Sequence, residues 1–170
     1  VAVGDAPSYY ALLDGKAGER VRLTVRPEDG EVFDQIIKPV GFGAETGYRY
    51  DMWVRSRREL VDRLSNGRLG YVHVQGMNDA SFRVLYSEVL GRFADREALI
   101  VDTRFNGGGW LHDDLVTFLT GEEYVTLYPR NVEAPGKSYF GEPAKRWTKP
   151  SLVVMSESNY SDAHFFPWAY

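Results

Sequence analysis

The chain has 170 residues, of which 44% are hydrophobic and 26% charged, a composition typical of a globular protein. Its 20 basic and 24 acidic residues are interleaved and give a net charge of −4, so we expect no nucleic-acid partner. The absence of cysteine excludes disulfides and thiolate metal sites, and no apolar run approaches the roughly 20 residues that cross a bilayer.

Residues 1–43 are predicted to be β-rich, with one short helix. The opening VAVGDAP indicates a strand end and its turn, and because the chain starts inside a strand pattern, we expect it to be part of a longer protein. The segment SYYALLDGKAGE predicts a helix that begins after Ser8 and ends at Gly15. The alternating stretches RVRLTVRP and VFDQIIKPV predict a hairpin, and GFGAETG (41–47) predicts a linker.

Residues 44–170 alternate between helix and strand patterns, with a long connection at 121–150. The predicted elements are a helix from Asp51 to Asn66, a strand at 69–74, a helix from Asn78 or Asp79 to Phe93, a buried strand at 98–104, a helix from Trp110 to Thr120, a buried strand at 151–156, and a helix that opens near Ser161. This alternation predicts an α/β fold with a mostly parallel sheet and flanking helices.

Two loops leave the carboxyl ends of predicted strands, where parallel sheets bind ligands. The first, RFNGGGW, has three glycines that free the backbone and present N–H groups at a helix N-terminus, which suits an oxyanion or a phosphate. A tight turn with close packing explains the same glycines, and the local sequence favours it. The loop lacks the Lys-Ser/Thr of a phosphate loop and the spaced glycines of a dinucleotide site, so nucleotide binding is not expected.

The second loop, SESNYSDA, holds Ser156, Ser158 and Ser161. A serine on a sharp strand-to-helix turn projects its hydroxyl, and the N–H of the next residue can donate to an oxyanion, although G-x-S-x-G itself is absent. Alternatively, Ser161 or Asp162 caps a helix, and the local sequence favours the cap.

The three histidines are interpreted as structural or solvated. His73 lies in an alternating strand pattern, His112 is expected on a solvated helix face, and His164 follows Ser161 too closely to align as its base. No His, Asp and Glu cluster has metal-ligand spacing, so no metal or other cofactor is expected.

Several of these motifs together resemble the tail-specific serine peptidases, and among them the tricorn protease branch. The family pattern is a buried strand ending in D-x-R-x-N-G-G-G, as in ALIVDTRFNGGGW, and a later strand leading to Ser-Asp, as in KPSLVVMSESNYSDAHFF. GRLGYVHVQGM resembles the family's G-Y-(V/I)-x-(V/I) strand. Residues 1–43 resemble the C-terminal part of a PDZ domain, which implies that 44–170 form part of the catalytic domain, with a crotonase- or Clp-protease-like core.

The resemblance implies a serine endopeptidase that forms an acyl-enzyme on Ser161. It assigns the oxyanion hole to the backbone N–H groups of Gly109 and Asp162, so Asp162 acts through its amide rather than its carboxylate. The general base of this branch is a His upstream of the PDZ domain, and related processing peptidases use a downstream Lys. Both positions fall outside these residues, so the isolated chain is expected to be inactive.

The resemblance also assigns Gly107, Gly108 and Leu127 to substrate binding. Leu127 stands where the branch carries an acid that favours basic side chains, so an apolar preference is expected at that subsite. The alternative hypotheses are a non-catalytic peptide- or ligand-binding module of the same fold and a plain structural fragment. The expected partners are peptide substrates, and no association with a membrane is expected. Whether the full-length parent forms a homo-oligomer is left open. A cytoplasmic location is favoured over an exported one.

Overall fold

The computed structural model describes residues 8–127 and 140–170, so the predicted strand end and turn at 1–7 lie outside it. Contacts divide the chain into two compact units, Val1–Trp53 and Val54–Tyr170. Within the described residues, no helix has the length and apolar character needed to cross a membrane.

Twelve helices and strands are found in the described residues. In chain order they are α1 (Tyr9–Leu13), β1 (Val21–Val25), β2 (Phe33–Ile37), α2 (Phe42–Leu64), β3 (Leu69–His73), α3 (Asp79–Ser87), β4 (Ala98–Asp102), α4 (His112–Thr120), β5 (Val125–Leu127), β6 (Phe140–Glu142), β7 (Ser151–Val154) and α5 (Asp162–Ala169).

The first unit contains the predicted short helix and hairpin. Ser8 caps α1 by accepting a hydrogen bond from the Tyr10 amide at 3.2 Å, as a Ser before a helix does. Strands β1 and β2 pair antiparallel with Val21 opposite Ile37. Both predictions are confirmed.

The predicted linker at 41–47 is wrong, because helix α2 already begins at Phe42 rather than near Asp51. Gly43 and Gly47 lie inside this helix and weaken it by roughly 1 kcal/mol each, which is why the sequence favours a linker. Side chains offset part of that cost. Glu45 lies in the first turn, where the helix dipole favours an acid, and it pairs with Arg49 one turn later at 2.7 Å.

The second unit is built on a three-stranded parallel sheet in the order β3, β4, β7. Leu69 pairs with Ala98 and Leu99 with Ser151, so the three strands end at the same edge. Helix α3 is capped by Asn78, whose Oδ1 accepts from the Ser81 amide at 3.0 Å, and it continues into a π-helical turn at Glu88–Arg92. The predicted α/β fold with a mostly parallel sheet is confirmed.

One face of the sheet carries the hydrophobic core. Fifteen buried side chains form a single cluster, supplied mainly by β3, β4 and the helices α3, α4 and α5; they are Val72, Val74, Met77, Leu85, Val89, Phe93, Leu99, Val101, Leu111, Leu115, Phe118, Leu119, Trp147, Ala163 and Phe166. Burying each large apolar side chain contributes about 1.5–3 kcal/mol. This cluster holds the strand ends and helix starts around the site in fixed positions.

The opposite face of the sheet is less covered, and the prediction that 151–156 form a buried strand is wrong. Leu152 of β7 is 55% exposed, and its neighbour in register, Ile100, is only partly buried. An apolar run of four to six residues does not reveal that one face of its strand lacks a packed neighbour in the described part of the chain.

Candidate active site

Three loops meet at the carboxyl edge of the sheet. The loop after β3 pairs with the glycine loop after β4, because the Met77 amide donates to the Gly108 carbonyl at 3.1 Å and the Trp110 amide donates to the Met77 carbonyl at 2.8 Å. The loop after β7 joins them through the Tyr160 amide, which donates to the Asn106 carbonyl at 3.1 Å. The structure therefore brings together the two loops that the sequence singles out.

Ser161 stands at a sharp turn between the loop after β7 and helix α5. Its φ of 52° and ψ of −125° are unusual for a residue with a side chain, and such conformations cost of order 1–3 kcal/mol. Ser161 occupies the cap position, but its side chain makes no capping hydrogen bond and the residue is exposed. The helix-cap interpretation of its hydroxyl is therefore wrong.

The other two serines of this loop are held in local hydrogen bonds. Ser156 Oγ lies 2.8 Å from Ser158 Oγ and 3.1 Å from Asn159 Oδ1. The three serines, equivalent in the local sequence, thus have different surroundings.

Gly108 and Gly109 require glycine for conformation and for space. Their φ values are 97° and 146°, which residues with side chains rarely adopt. A Cβ on Gly108 would lie 2.8 Å from Ser161 Cβ and 3.3 Å from the Asp162 amide nitrogen, and a Cβ on Gly109 would collide with the Met77 carbonyl oxygen. The tight-turn interpretation is correct, and the turn it describes packs directly against Ser161.

The backbone amides of Gly109 and Asp162 are both available at this turn. Among the described residues, neither amide donates a hydrogen bond. Asp162 is the first residue of α5, where N–H groups point outward and the helix dipole favours negative charge. The arrangement is suited to an anion beside Ser161.

Two buried asparagines shape these loops, and sequence reasoning assigned neither a role. Asn106 is fully buried; its Nδ2 donates to the Val74 carbonyl at 2.9 Å, and its Oδ1 accepts from the Gly108 amide at 2.9 Å. Asn159 donates to Thr103 Oγ1 at 2.9 Å, and its Oδ1 accepts from the Ser156 amide at 3.2 Å. The sequence feature that could have indicated their roles is that each is a polar residue close to the end of an apolar strand, in a loop expected to pack closely.

The expectation that Asp162 acts only through its amide is incomplete, and the expectation of a solvated His112 is wrong. The Asp162 carboxylate is buried, accepts from the Leu111 amide at 2.6 Å and the His112 amide at 3.1 Å, and lies 2.5 Å from His112 Nδ1. The side chain of His112 is only 22% exposed. The surface helix pattern of α4 does not reveal a partner that lies 50 residues away in the chain.

A buried polar group supports the start of the glycine loop. Asp102 accepts from Tyr71 Oη at 2.7 Å and from Arg104 Nη2 at 2.6 Å. Burial by itself raises the pKa of the Asp102 carboxyl, but the hydrogen bonds from Arg104 and Tyr71 outweigh it and lower the pKa. Burial and the adjacent Asp102 raise the pKa of Tyr71. Asp102 is therefore ionised and paired with Arg104 at neutral pH.

The side chains of the remaining histidines make no described hydrogen bond to Ser161, although the His164 amide donates to the Ser161 carbonyl at 2.8 Å. His73 Nε2 lies 3.0 Å from the Arg104 carbonyl oxygen, and burial lowers the pKa of its ring, consistent with a structural role. His164 is exposed on α5. In the described part of the chain, no group of three or more His, Asp and Glu residues could hold a metal ion.

The predicted substrate-binding residues lie on different elements. Gly107 is exposed beside Gly108, with open space where a Cβ would stand. Leu127 lies on β5, which pairs with β6 in a separate two-stranded sheet, and it is 48% exposed.

An open cavity of about 270 Å³ lies beside Ser161. It is lined by Gly109, Trp110, His112, Ser161, Asp162 and Phe165. The His112 ring contacts both aromatic walls, at 5.5 Å from the Trp110 ring and 6.2 Å from the Phe165 ring, centroid to centroid. The cavity thus combines an exposed hydroxyl, unpaired amides and an aromatic lining.

Comparisons with known proteins agree with this geometry. Residues 68–170 match the sequence model of peptidase family S41. The tricorn protease of Thermoplasma volcanium is 32% identical over 170 residues, which are 100% of this chain and 16% of that protein. A tricorn protease homolog of Saccharolobus solfataricus is 35% identical over 163 residues, 96% of this chain and 14% of that protein.

A solved structure has a similar fold. The crystal structure of the tricorn protease matches with a TM-score of 0.70 and 24% identity, covering 94% of this chain and 15% of that one. The chain spans no more than 16% of the length of these curated relatives.

Proposed function

The chain belongs to peptidase family S41, and from this membership we propose that it carries the nucleophile and the oxyanion hole of a serine endopeptidase. The observation that carries the proposal is Ser161, an exposed serine held in a strained turn against Gly108. Strain of this kind persists only where the surrounding structure enforces it, and it clusters at functional sites.

In the proposed reaction, Ser161 Oγ attacks the carbonyl carbon of a peptide bond. A general base takes the hydroxyl proton, and the proton passes to the leaving amine as the C–N bond breaks. Water then hydrolyses the acyl-enzyme ester, which returns the proton to Ser161 and releases the acid product. No cofactor is needed for either half of the reaction.

The oxyanion of each tetrahedral intermediate is proposed to bind the amides of Gly109 and Asp162. Both residues line the cavity beside Ser161, and the lack of hydrogen-bond acceptors for their amides among the described residues also supports this role. One such donor is typically worth about 10²–10³ in kcat, because it acts on charge that develops in the transition state.

The general base is proposed to come from outside these 170 residues. His112 is the histidine that shares a cavity with Ser161, but its Nδ1 lies against Asp162 and its Nε2 lies 3.4 Å from the Asp113 carboxylate. The contact with Asp162 leaves Nε2 as the nitrogen that could act as a base. Because Nε2 faces Asp113, and no hydrogen bond joins it to Ser161 among the described residues, His112 is poorly placed to accept the Ser161 proton. The isolated chain is therefore expected to hydrolyse peptides very slowly or not at all.

The substrate is proposed to be a peptide with an apolar side chain next to the scissile bond. Leu127 offers no charge to a basic side chain, and the cavity beside Ser161 has aromatic walls at Trp110 and Phe165. A peptide-library profile of the natural protein should favour apolar residues, and a strong preference for Lys or Arg would contradict this.

Residues 1–43 are proposed to be the C-terminal part of a PDZ-like domain, and 44–170 part of the catalytic domain. The β1–β2 hairpin with a short preceding helix supports the first assignment. A structure of the natural protein that paired this hairpin into a different fold would contradict it.

Labelling with a fluorophosphonate tests the catalytic proposal. The natural protein should take up one probe per site, and peptide mapping should place it on Ser161. Ser161→Ala should abolish labelling. A folded protein that neither labels nor cleaves peptides would instead favour the binding module, with the cavity at Ser161 as its ligand site.

A further inference from the structure

The side chain of Asp162 connects the two loops that carry the proposed oxyanion donors. Its carboxylate is 3% exposed and binds the backbone amides of Leu111 and His112, at 2.6 Å and 3.1 Å, through a single oxygen. The other oxygen lies 2.5 Å from His112 Nδ1. Every hydrogen bond described for this carboxylate therefore reaches the segment that follows the three glycines.

This connection has a direct geometric consequence. Asp162 supplies one proposed donor through its own amide, and Leu111 is only two residues beyond Gly109, which supplies the other. Charge-assisted hydrogen bonds to a carboxylate are short and roughly twice as strong as neutral ones, and a negative charge at the start of α4 is favoured by the helix dipole. A shift of the carboxylate would move the two amides relative to each other.

We infer that the Asp162 carboxylate is a positioning residue that sets the spacing of the two oxyanion-hole amides, an inference that rests on the proposed function. The carboxylate is buried and is inferred to act through the backbone of Leu111 and His112. Oxyanion donors are effective only when they lie within hydrogen-bond distance of the position that the oxyanion will occupy, so a small displacement lowers transition-state binding while ground-state binding persists.

The alternative is that the carboxylate only stabilises the fold. Two substitutions separate these roles. Asp162→Ala keeps the backbone amide but removes all three contacts. Asp162→Asn can still place an oxygen against the two backbone amides and its NH₂ against a neutral His112 Nδ1, so it should restore part of the positioning.

The experiment uses the natural protein and a fluorophosphonate, with rates expressed per folded molecule. Asp162→Ala should lower the labelling rate constant and kcat by about 10²-fold, with KM within about threefold of wild type. A peptide aldehyde, which binds as a tetrahedral oxyanion mimic, should lose affinity by a similar factor. Asp162→Asn should fall between Asp162→Ala and wild type.

Asp114→Asn is the matched control, because it removes the same charge from an exposed position in the first turn of α4. It should leave the labelling rate within about twofold of wild type, since the Asp114 side chain is exposed and solvent screens its charge. An equal slowing by Asp114→Asn would overturn the inference by showing a general charge effect.

Two further outcomes are decisive. If wild type labels at Ser161 and Asp162→Ala loses stability yet labels at the wild-type rate per folded molecule, the carboxylate is structural and the inference is wrong, while the proposed function stands. If wild type fails to label at all, the proposed function falls and the inference falls with it.

Discussion

The N-termini of helices α3 and α5 occupy equivalent places, each following a strand of the same sheet, yet they differ in how the cap residue is used. Asn78 has extended backbone angles, and its side chain accepts a hydrogen bond from the Ser81 amide. Ser161 has a positive φ, and its side chain caps nothing. The Asn78 cap stabilises its helix, whereas the Ser161 side chain stays exposed. The loops around Ser161 hold its backbone in the strained conformation.

The largest expected difference between the two caps is in activity. Ser161→Ala should lower kcat/KM of the natural protein by about 10⁴-fold or more, because it removes the attacking oxygen. It should leave the free energy of unfolding within about 0.5 kcal/mol, since no capping bond is lost. Peptide hydrolysis and chemical denaturation measure the two effects.

Ser158→Ala is the control for this prediction, because Ser158 is an exposed serine of the same loop. Its activity should stay within about twofold of wild type, as expected for a surface substitution. Full activity in Ser161→Ala would contradict the proposal that the Ser161 hydroxyl is the nucleophile.

The second prediction concerns the support of the α5 turn by the glycine loop. Gly108→Ala places a Cβ 2.7 Å from the Tyr160 carbonyl oxygen at a φ of 97°, so it should displace Ser161 and slow fluorophosphonate labelling by about 10²-fold. The free energy of unfolding should fall by about 2 kcal/mol.

Gly107→Ala provides the stability comparison, since a Cβ there meets no atom within 4 Å. It should change the free energy of unfolding by less than about 0.5 kcal/mol. Equal losses at the two glycines would mean that contact with the Ser161 turn is not what requires glycine at position 108.

The third prediction concerns Asn159, whose side chain makes hydrogen bonds that stabilise the loop before Ser161. Asn159→Ala removes the hydrogen bonds to Thr103 Oγ1 and the Ser156 amide from a site that is 7% exposed, so stability should fall by about 2 kcal/mol in urea titrations. A change below about 0.5 kcal/mol would show that water replaces these contacts.

The smallest expected effect is a change in the free energy of unfolding that has opposite signs for glycine substitutions at the two cap residues. Ser161→Gly should raise the free energy of unfolding by about 1 kcal/mol, because glycine tolerates the strained backbone. Asn78→Gly should lower it by a few tenths of a kcal/mol, and Asn78→Ala by about 1 kcal/mol. Thermal denaturation of the three variants measures this, and a loss of stability in Ser161→Gly would mean that the turn is not strained.

The sequence predicts the sheet and its loops well because apolar periodicity and glycine are local signals. The strands near 69, 98 and 151 and the convergence of GGG with Ser161 follow from them. The helix start at Phe42 was missed because glycines favour a linker in the local sequence, while the ion pair between Glu45 and Arg49, which offsets part of their cost, is seen only in the structure. The exposure of Leu152 depends on what covers the strand, which its own residues do not specify.

The site residues divide in the same way. Ser161, Gly109 and Asp162 were proposed from a motif, and in the structure they line one cavity. Asn106, Asn159 and the Asp162 carboxylate were missed because their roles lie in single hydrogen bonds to distant backbone groups. Polar residues in loops are common, and only the packed structure distinguishes a buried one.

The hydrogen bonds that hold the Ser161 turn also have a consequence for the order of folding. Asn159 reaches Thr103 across 56 residues, and Asp162 reaches Leu111 across 51. Contacts this remote in sequence form late, because closing long loops costs entropy before any contact is gained. We therefore expect the strained serine to be set only after β7 has joined the sheet, so that a chain still emerging during synthesis has no assembled oxyanion site.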